Sequence, residues 1–142
     1  MKTRNVILGV TFIVLAIAIG VIPHFTDCQS QGLFSTLANG NKVPMKCHWT
    51  GVAEIGSAIP LAGVGMMMIF SRRKQATGFL SLTAFILFGV TLAFPHALIG
   101  TCPTLTHTCN TIMKPSIDIF GSLGLIAAAI GLVISFKTKE AI

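Results

Sequence analysis

Charge is scarce in this chain. Only 10% of its 142 residues are charged, and four of those are acidic. A soluble domain carries charge on roughly a quarter or more of its surface. The deficit therefore excludes a water-solvated exterior, and lipid must cover much of the protein. Other absences narrow the function. There is no Gly-rich phosphate loop, no ATP-binding module and no Ser-His-Asp arrangement, so an enzyme built on a nucleotide or organic cofactor has no support. Cys-x-x-Cys, the usual thiol-exchange spacing, is missing as well. The net charge of +6 does not form a stripe, so nucleic acid is not an expected partner.

What the chain has is apolar sequence, 53% of its residues, with a mean hydropathy of +0.83. Four runs stand out, at about 6–22, 52–70, 76–98 and 117–136. Each reaches the length of about 20 residues, with a range of roughly 17 to 25, that a helix needs to cross a bilayer. Backbone polar groups must be satisfied within lipid, so helices are the expected form. The expected fold is all-α: a single polytopic domain over 1–142 with four transmembrane helices and outward loops at about 23–51 and 95–116. The first run follows Lys2 and Arg4 as a signal peptide would. It is long for one, and Ile22-Pro23-His24 is no small-x-small cleavage site, so a retained helix is expected.

The basic residues set the orientation. Lys2, Arg4, Arg72, Arg73, Lys74, Lys137 and Lys139 fall on one side of a four-span chain, and Lys42, Lys46 and Lys114 on the other. The positive-inside rule then predicts a cell-membrane protein with both termini cytoplasmic.

The halves resemble each other weakly. "IPHFTDC" follows the first run and "FPHALIGTC" ends the third, so a Pro-His precedes Cys28 and Cys102. A second cysteine, Cys47 or Cys109, comes later in each outward loop. An acid, Glu54 or Asp118, opens each following run, and small residues come next. Two spans per unit would make these parallel helical-hairpin repeats. Duplication and chance likeness both stay open on the sequence.

All four cysteines fall outside the apolar runs on the outward side, where disulfides persist. Cys28 with Cys47 and Cys102 with Cys109 is the preferred pairing, because each bond stays within one loop. Pairing across the loops would tie the halves together. Thiol exchange or metal ligation are the other uses. The histidines, His24, His48, His96 and His107, are outward too, so all the soft ligands sit on one side. Zinc, copper or haem could use them. His24 and His96 occupy matching run ends and are the attractive pair. The plain expectation for each histidine is a helix-end or surface contact.

Glu54 and Asp118 read first as first-turn acids favoured by the helix dipole, with Thr50 and Ser116 as caps. Alternatively each points into the bundle and binds a cation or a partner's Lys or Arg. Trp49 suits an interfacial anchor, or it covers the Cys47 sulfur. Pro60 would bend or interrupt its helix. Gly51, Gly56, Gly63 and Gly65 in the second run, and Gly121, Gly124 and Gly131 in the fourth, offer close-packing faces. Helices two and four are therefore expected at the bundle centre. Met66-Met67-Met68 reads as packing.

The string "MKCHWTGVAEIG", Met45 to Gly56, together with "FPH" at Phe94 to His96 and the four-span layout, resembles an uncharacterised family of small bacterial or archaeal membrane proteins, domain of unknown function 4418. The likeness covers nearly the whole chain. It implies an accessory role beside membrane transport systems, including export-type ATP-driven transporters, and it carries over no catalytic residue. Val52 stands where members keep an Arg after Thr-Gly, so no role of that charge transfers.

The expectation is then a non-enzymatic membrane protein, an accessory subunit or partner of a transporter or envelope complex, with disulfide-stapled outward loops and no cofactor. An outward metal or haem protein and a membrane thiol-disulfide oxidoreductase are the alternatives. Lipid is the expected partner, and a homo-oligomer would thicken a four-helix bundle.

Overall fold

The computed structural model describes residues 2–137; Lys139, which counts toward the orientation, lies outside the described residues. Four helices dominate: α1 (Lys2–Thr26), α2 (Lys46–Phe70), α3 (Lys74–Ala93) and α4 (Lys114–Lys137). A small antiparallel hairpin pairs β1 (Ser35–Thr36) with β2 (Lys42–Val43) between α1 and α2. Gly40 turns it at φ +81°. Two π-helical turns, Phe94–Leu98 and Cys109–Met113, extend α3 and precede α4. With these extensions, all four helices are long and apolar enough to cross a membrane. The protein is an all-α, multi-pass membrane protein.

The helices outrun the apolar runs at their outer ends, and this changes local roles. Met45, not Thr50, occupies the N-cap of α2. Cys47, His48, Trp49 and Thr50 are therefore helical rather than in a loop. Glu54 lies two turns inside α2, beyond the reach of a first-turn dipole effect. Asp118 likewise sits beyond the first turn of α4, and Ser116 is a helical residue rather than its cap. Pro60 lies within α2 without ending it.

Packing runs around a ring. α1 lies chiefly on α2 and α3 on α4, while α1 against α4 and α2 against α3 close the circle. The small faces serve these hairpins rather than bringing α2 and α4 together at the centre. A Cβ on Gly65 of α2 would meet the Gly9 carbonyl oxygen of α1 at 2.8 Å, and one on Gly9 would meet the Gly65 oxygen at 2.6 Å. On α4, Gly121 admits Leu92 and Gly124 admits Phe88, both from α3. Lipid gives helices no hydrophobic reason to associate, so close backbone approach and van der Waals contact must do it.

The core holds Phe12, Leu15, Ala16 and Ile19 of α1, Leu61, Val64 and Met68 of α2, Ala84 and Phe88 of α3 and Ala128 of α4. Phe12 and Phe88 meet edge to face at 5.8 Å across the bundle. Of the methionine run only Met68 is buried, while Met66 and Met67 face outward with Ile59, Phe70 and Phe79. At the basic end, the Asn5 side-chain amide donates to the Ser71 carbonyl at 3.1 Å and to the Thr77 hydroxyl at 3.0 Å. This ties α1 to the start of α3.

Candidate metal centre at the thiol end

Each helix end opposite the basic link delivers one cysteine. Cys28 follows α1, Cys47 lies in the first turn of α2, Cys102 follows the π turn after α3, and Cys109 opens the π turn before α4. Local chain geometry aims them inward. Thr26 donates its hydroxyl to the Ile22 carbonyl at 2.7 Å, and the Leu33 amide donates to the Cys28 carbonyl at 2.8 Å. In the second half, the amides of Ile99 and Gly100 both donate to the Phe94 carbonyl. Gly100 takes φ +86°, which side chains disfavour, and so turns the chain back toward the axis. Its carbonyl accepts the Thr50 hydroxyl at 2.6 Å, which locks this turn onto α2. The Asn110 amide group donates to the Cys102 and Thr104 carbonyls and holds the loop between Cys102 and Cys109.

The four sulfurs converge, all within 4.8 Å of one another, and all four cysteines are buried. Cys102 Sγ lies 3.0 Å from Cys47 Sγ and 3.1 Å from Cys28 Sγ, and Cys28 Sγ lies 3.5 Å from Cys109 Sγ. Met113 and Ile117 are buried in the same cluster, with Met45 packed against it. All four are free cysteines. The pairing within each loop that the sequence favours is not among these three contacts. Each of these close contacts instead joins a cysteine of the first hairpin to one of the second. The bundle ring sets this, because it brings all four helix ends to one axis.

The histidines do not converge. His107 Nδ1 comes within 4.0 Å of Cys28 Sγ, His24 packs edge-on against Phe25, and His48 and His96 pair with acids. Among the described residues, the four cysteines form the one group of three or more His, Cys, Asp or Glu side chains close enough to share an ion. The sequence placed soft ligands on this side of the membrane but could not choose thiols over imidazoles.

Two His-Asp braces flank the cluster. His48 Nδ1 lies 2.7 Å from Asp27 Oδ2, joining the neighbours of Cys47 and Cys28. His96 Nε2 lies 2.7 Å from Asp118 Oδ1, joining α3 to α4. Burial pushes the Asp27 carboxyl up. The hydrogen bonds from His48 and Ser30 outweigh this and hold it below its ordinary value. Burial and the neighbouring thiols raise the Cys28 thiol. For Cys102, burial is outweighed by hydrogen bonds from Cys47 and Cys28, and its thiol is lowered. A thiolate on Cys102 is therefore the one that its neighbours favour.

The two acids paired in the sequence have different surroundings. Asp118 is 38% exposed and braced by His96. Glu54 is fully buried, and neither of its carboxylate oxygens has a partner among the described residues. Trp49 is 56% exposed and stands edge-on to His48, which fits an anchor rather than a cover for Cys47.

No curated protein and no solved structure matches the chain. One family model does, Domain of unknown function (DUF4418), over residues 5–134, a span that contains all four cysteines and every helix core. The protein belongs to that family of uncharacterised membrane proteins.

Proposed function

We propose that this protein is a non-enzymatic membrane protein whose outward end is closed by a tetrathiolate metal centre, with zinc as the resident ion. One observation carries the proposal: four buried sulfurs from four helix ends lie within 4.8 Å of one another. Zinc–sulfur bonds of about 2.3 Å in a tetrahedron require sulfurs about 3.8 Å apart. The contacts of 3.0 to 3.5 Å and the outer limit of 4.8 Å bracket that edge. An all-sulfur tetrahedron favours zinc or iron, and copper(I) is the next soft candidate. Separate partners for the histidines count against haem. The ion would be structural, since four protein ligands leave no open position for a substrate. His107 beside Cys28, and the loop held by Asn110, would form its outer shell.

The seven-to-three division of basic residues supports an outward, non-cytoplasmic position for the thiol end, with both termini inside. The rigid end would then serve as a platform for a transporter or envelope partner. That partnership rests on the family resemblance alone. A second reading uses the same sulfurs. The Cys47–Cys102 contact of 3.0 Å and the Cys28–Cys109 contact of 3.5 Å suit two disulfides across the hairpins. They would do the same stapling in an oxidising compartment.

The test is intact mass after alkylation of the detergent-purified protein, without reductant, with metal content measured on the same sample. One zinc per chain, and four thiols that alkylate only after chelation, is the expected result. A mass four hydrogens below the reduced value, with no metal, overturns the metal centre in favour of disulfides.

A further inference from the structure

Below the thiol cluster the buried face of α2 continues as Cys47, Thr50, Glu54, Ser57 and Leu61. Glu54 lies seven residues past Cys47, about 10 Å along the helix. Its side chain is fully buried, and both carboxylate oxygens lack a hydrogen-bond partner among the described residues. A buried ionisable group inside a membrane protein is costly and needs a partner. The described residues supply no cationic one. The buried polar residues among them are Asn5, Asp27, Thr50, Ser57, Thr77, Ser81 and Thr91 besides Glu54 itself, with no lysine or arginine.

Next to Glu54 on the buried face of α2 is Ser57, which meets Thr91 of α3. Ser57 donates its hydroxyl to the Glu54 backbone carbonyl at 2.9 Å, and Thr91 of α3 donates its own to the Leu87 carbonyl at 3.0 Å. The two hydroxyl oxygens nevertheless lie 3.2 Å apart. Each hydroxyl has one hydrogen. Either hydroxyl can donate to the other, and when both are instead given to carbonyls the two oxygens are free to face a cation. Thr50 gives its hydroxyl to Gly100. Glu54 and Ser57 thus share one buried face of α2, and Thr91 of α3 meets that face at Ser57.

We propose that Glu54, with the Ser57 and Thr91 hydroxyl oxygens, forms a second, oxygen-only cation site inside the bundle, which takes a dehydrated monovalent alkali ion. Hard oxygen donors suit such an ion and do not compete for the soft metal of the thiols. The charge selects valence. One carboxylate with one monovalent cation is neutral, whereas a divalent ion would leave a net charge buried in a low-dielectric interior. The ion would join α2 to α3, the helix pair that otherwise meets through few close contacts.

The experiment is thermal unfolding of the detergent-purified full chain in sodium, potassium or choline chloride at constant ionic strength. Direct binding of radioactive sodium is measured on the same protein. A saturable rise over choline of roughly 3 to 6 °C at ten times Kd is expected. The near-isosteric Glu54→Gln change should abolish both the rise and the sodium binding, while leaving the zinc content unchanged. Thr91→Val should weaken sodium binding at least tenfold, and it serves as the second variant if Glu54→Gln does not fold. Equal melting in sodium, potassium and choline with no bound sodium overturns the site, and leaves Glu54 as a carboxyl that keeps its own proton. Sodium binding that survives Glu54→Gln overturns it too. Because zinc is counted in every sample, this failure and failure of the thiol centre are told apart.

Discussion

Cys28 and Cys102 are 74 positions apart in sequence and 3.1 Å apart at their sulfurs. One follows the first helix and the other the third, so the contact closes the bundle between its two hairpins rather than within either. Cys47 and Cys109 complete the group from the helices that return.

Loss of one thiol should dismantle the centre. Changes in the outer shell of a metal site typically cost 10- to 100-fold in affinity. Cys102→Ser should therefore weaken zinc binding by about a hundredfold or more, and His107→Ala by about tenfold. Competition with a chelating dye reads both. Cobalt substitution should give intense sulfur-to-metal charge-transfer absorption that disappears in Cys102→Ser. Unchanged affinity in that variant would rule out a four-thiolate site.

The Asp27–His48 brace should be sensitive to acid. The Asp27 carboxyl is held below its ordinary value in the folded protein. Its contribution is thus fully present above the unfolded value of about 3.9 and is lost as pH falls through the lower folded value. Asp27→Asn should cost about 1 kcal/mol near neutral pH. The gap between variant and parent should close as pH drops below about 4. Denaturation in detergent at several pH values measures it. A gap that persists in acid would mean that the brace does not depend on the Asp27 charge.

Helix contact in the first hairpin depends on absent side chains. Gly65→Val places a Cβ 2.8 Å from both the Gly9 carbonyl oxygen and the Ile13 Cγ1. Overpacking of this kind costs about 1–3 kcal/mol. Nothing lies within 4 Å of a Cβ added at Gly56 of the same helix. Gly56→Ala should be neutral, or stabilising by up to about 1 kcal/mol through helix propensity. The melting temperatures of the two variants should fall on opposite sides of the parent or nearly so; the reverse order would refute the crossing point.

Orientation has its own assay. Thr36→Cys, in the exposed hairpin after α1, should react in intact cells with a membrane-impermeant thiol reagent. Ser71→Cys, at the basic link, should react only after permeabilisation. The opposite pattern would place the thiol centre in the cytoplasm and remove the reason to expect an oxidising surrounding.

Length and composition alone determined the class of this protein. Four long apolar runs with 10% charged residues leave no stable form but a helical bundle in lipid, since backbone groups must bond within their own helix there. The uneven spread of basic residues pointed to one side for every cysteine and histidine. Helix limits were less legible. Lys46, His48 and Thr50 look like loop residues, yet they lie in α2, where their polar side chains reach the bundle end instead of lipid. The use of the cysteines stayed open in the sequence, among bonds within a loop, bonds across loops and metal ligation. Sequence proximity favours bonds within a loop, because closing a short loop costs less entropy. The folded ring removes that advantage by bringing all four helix ends together. The same holds for the two acids. Both open an apolar run, but the buried face of α2 takes in Glu54, whose carboxylate oxygens have no hydrogen-bond partner among the described residues, while α4 leaves Asp118 at the rim beside His96. Such differences depend on which face each helix turns to its neighbours, and interhelical packing sets that face.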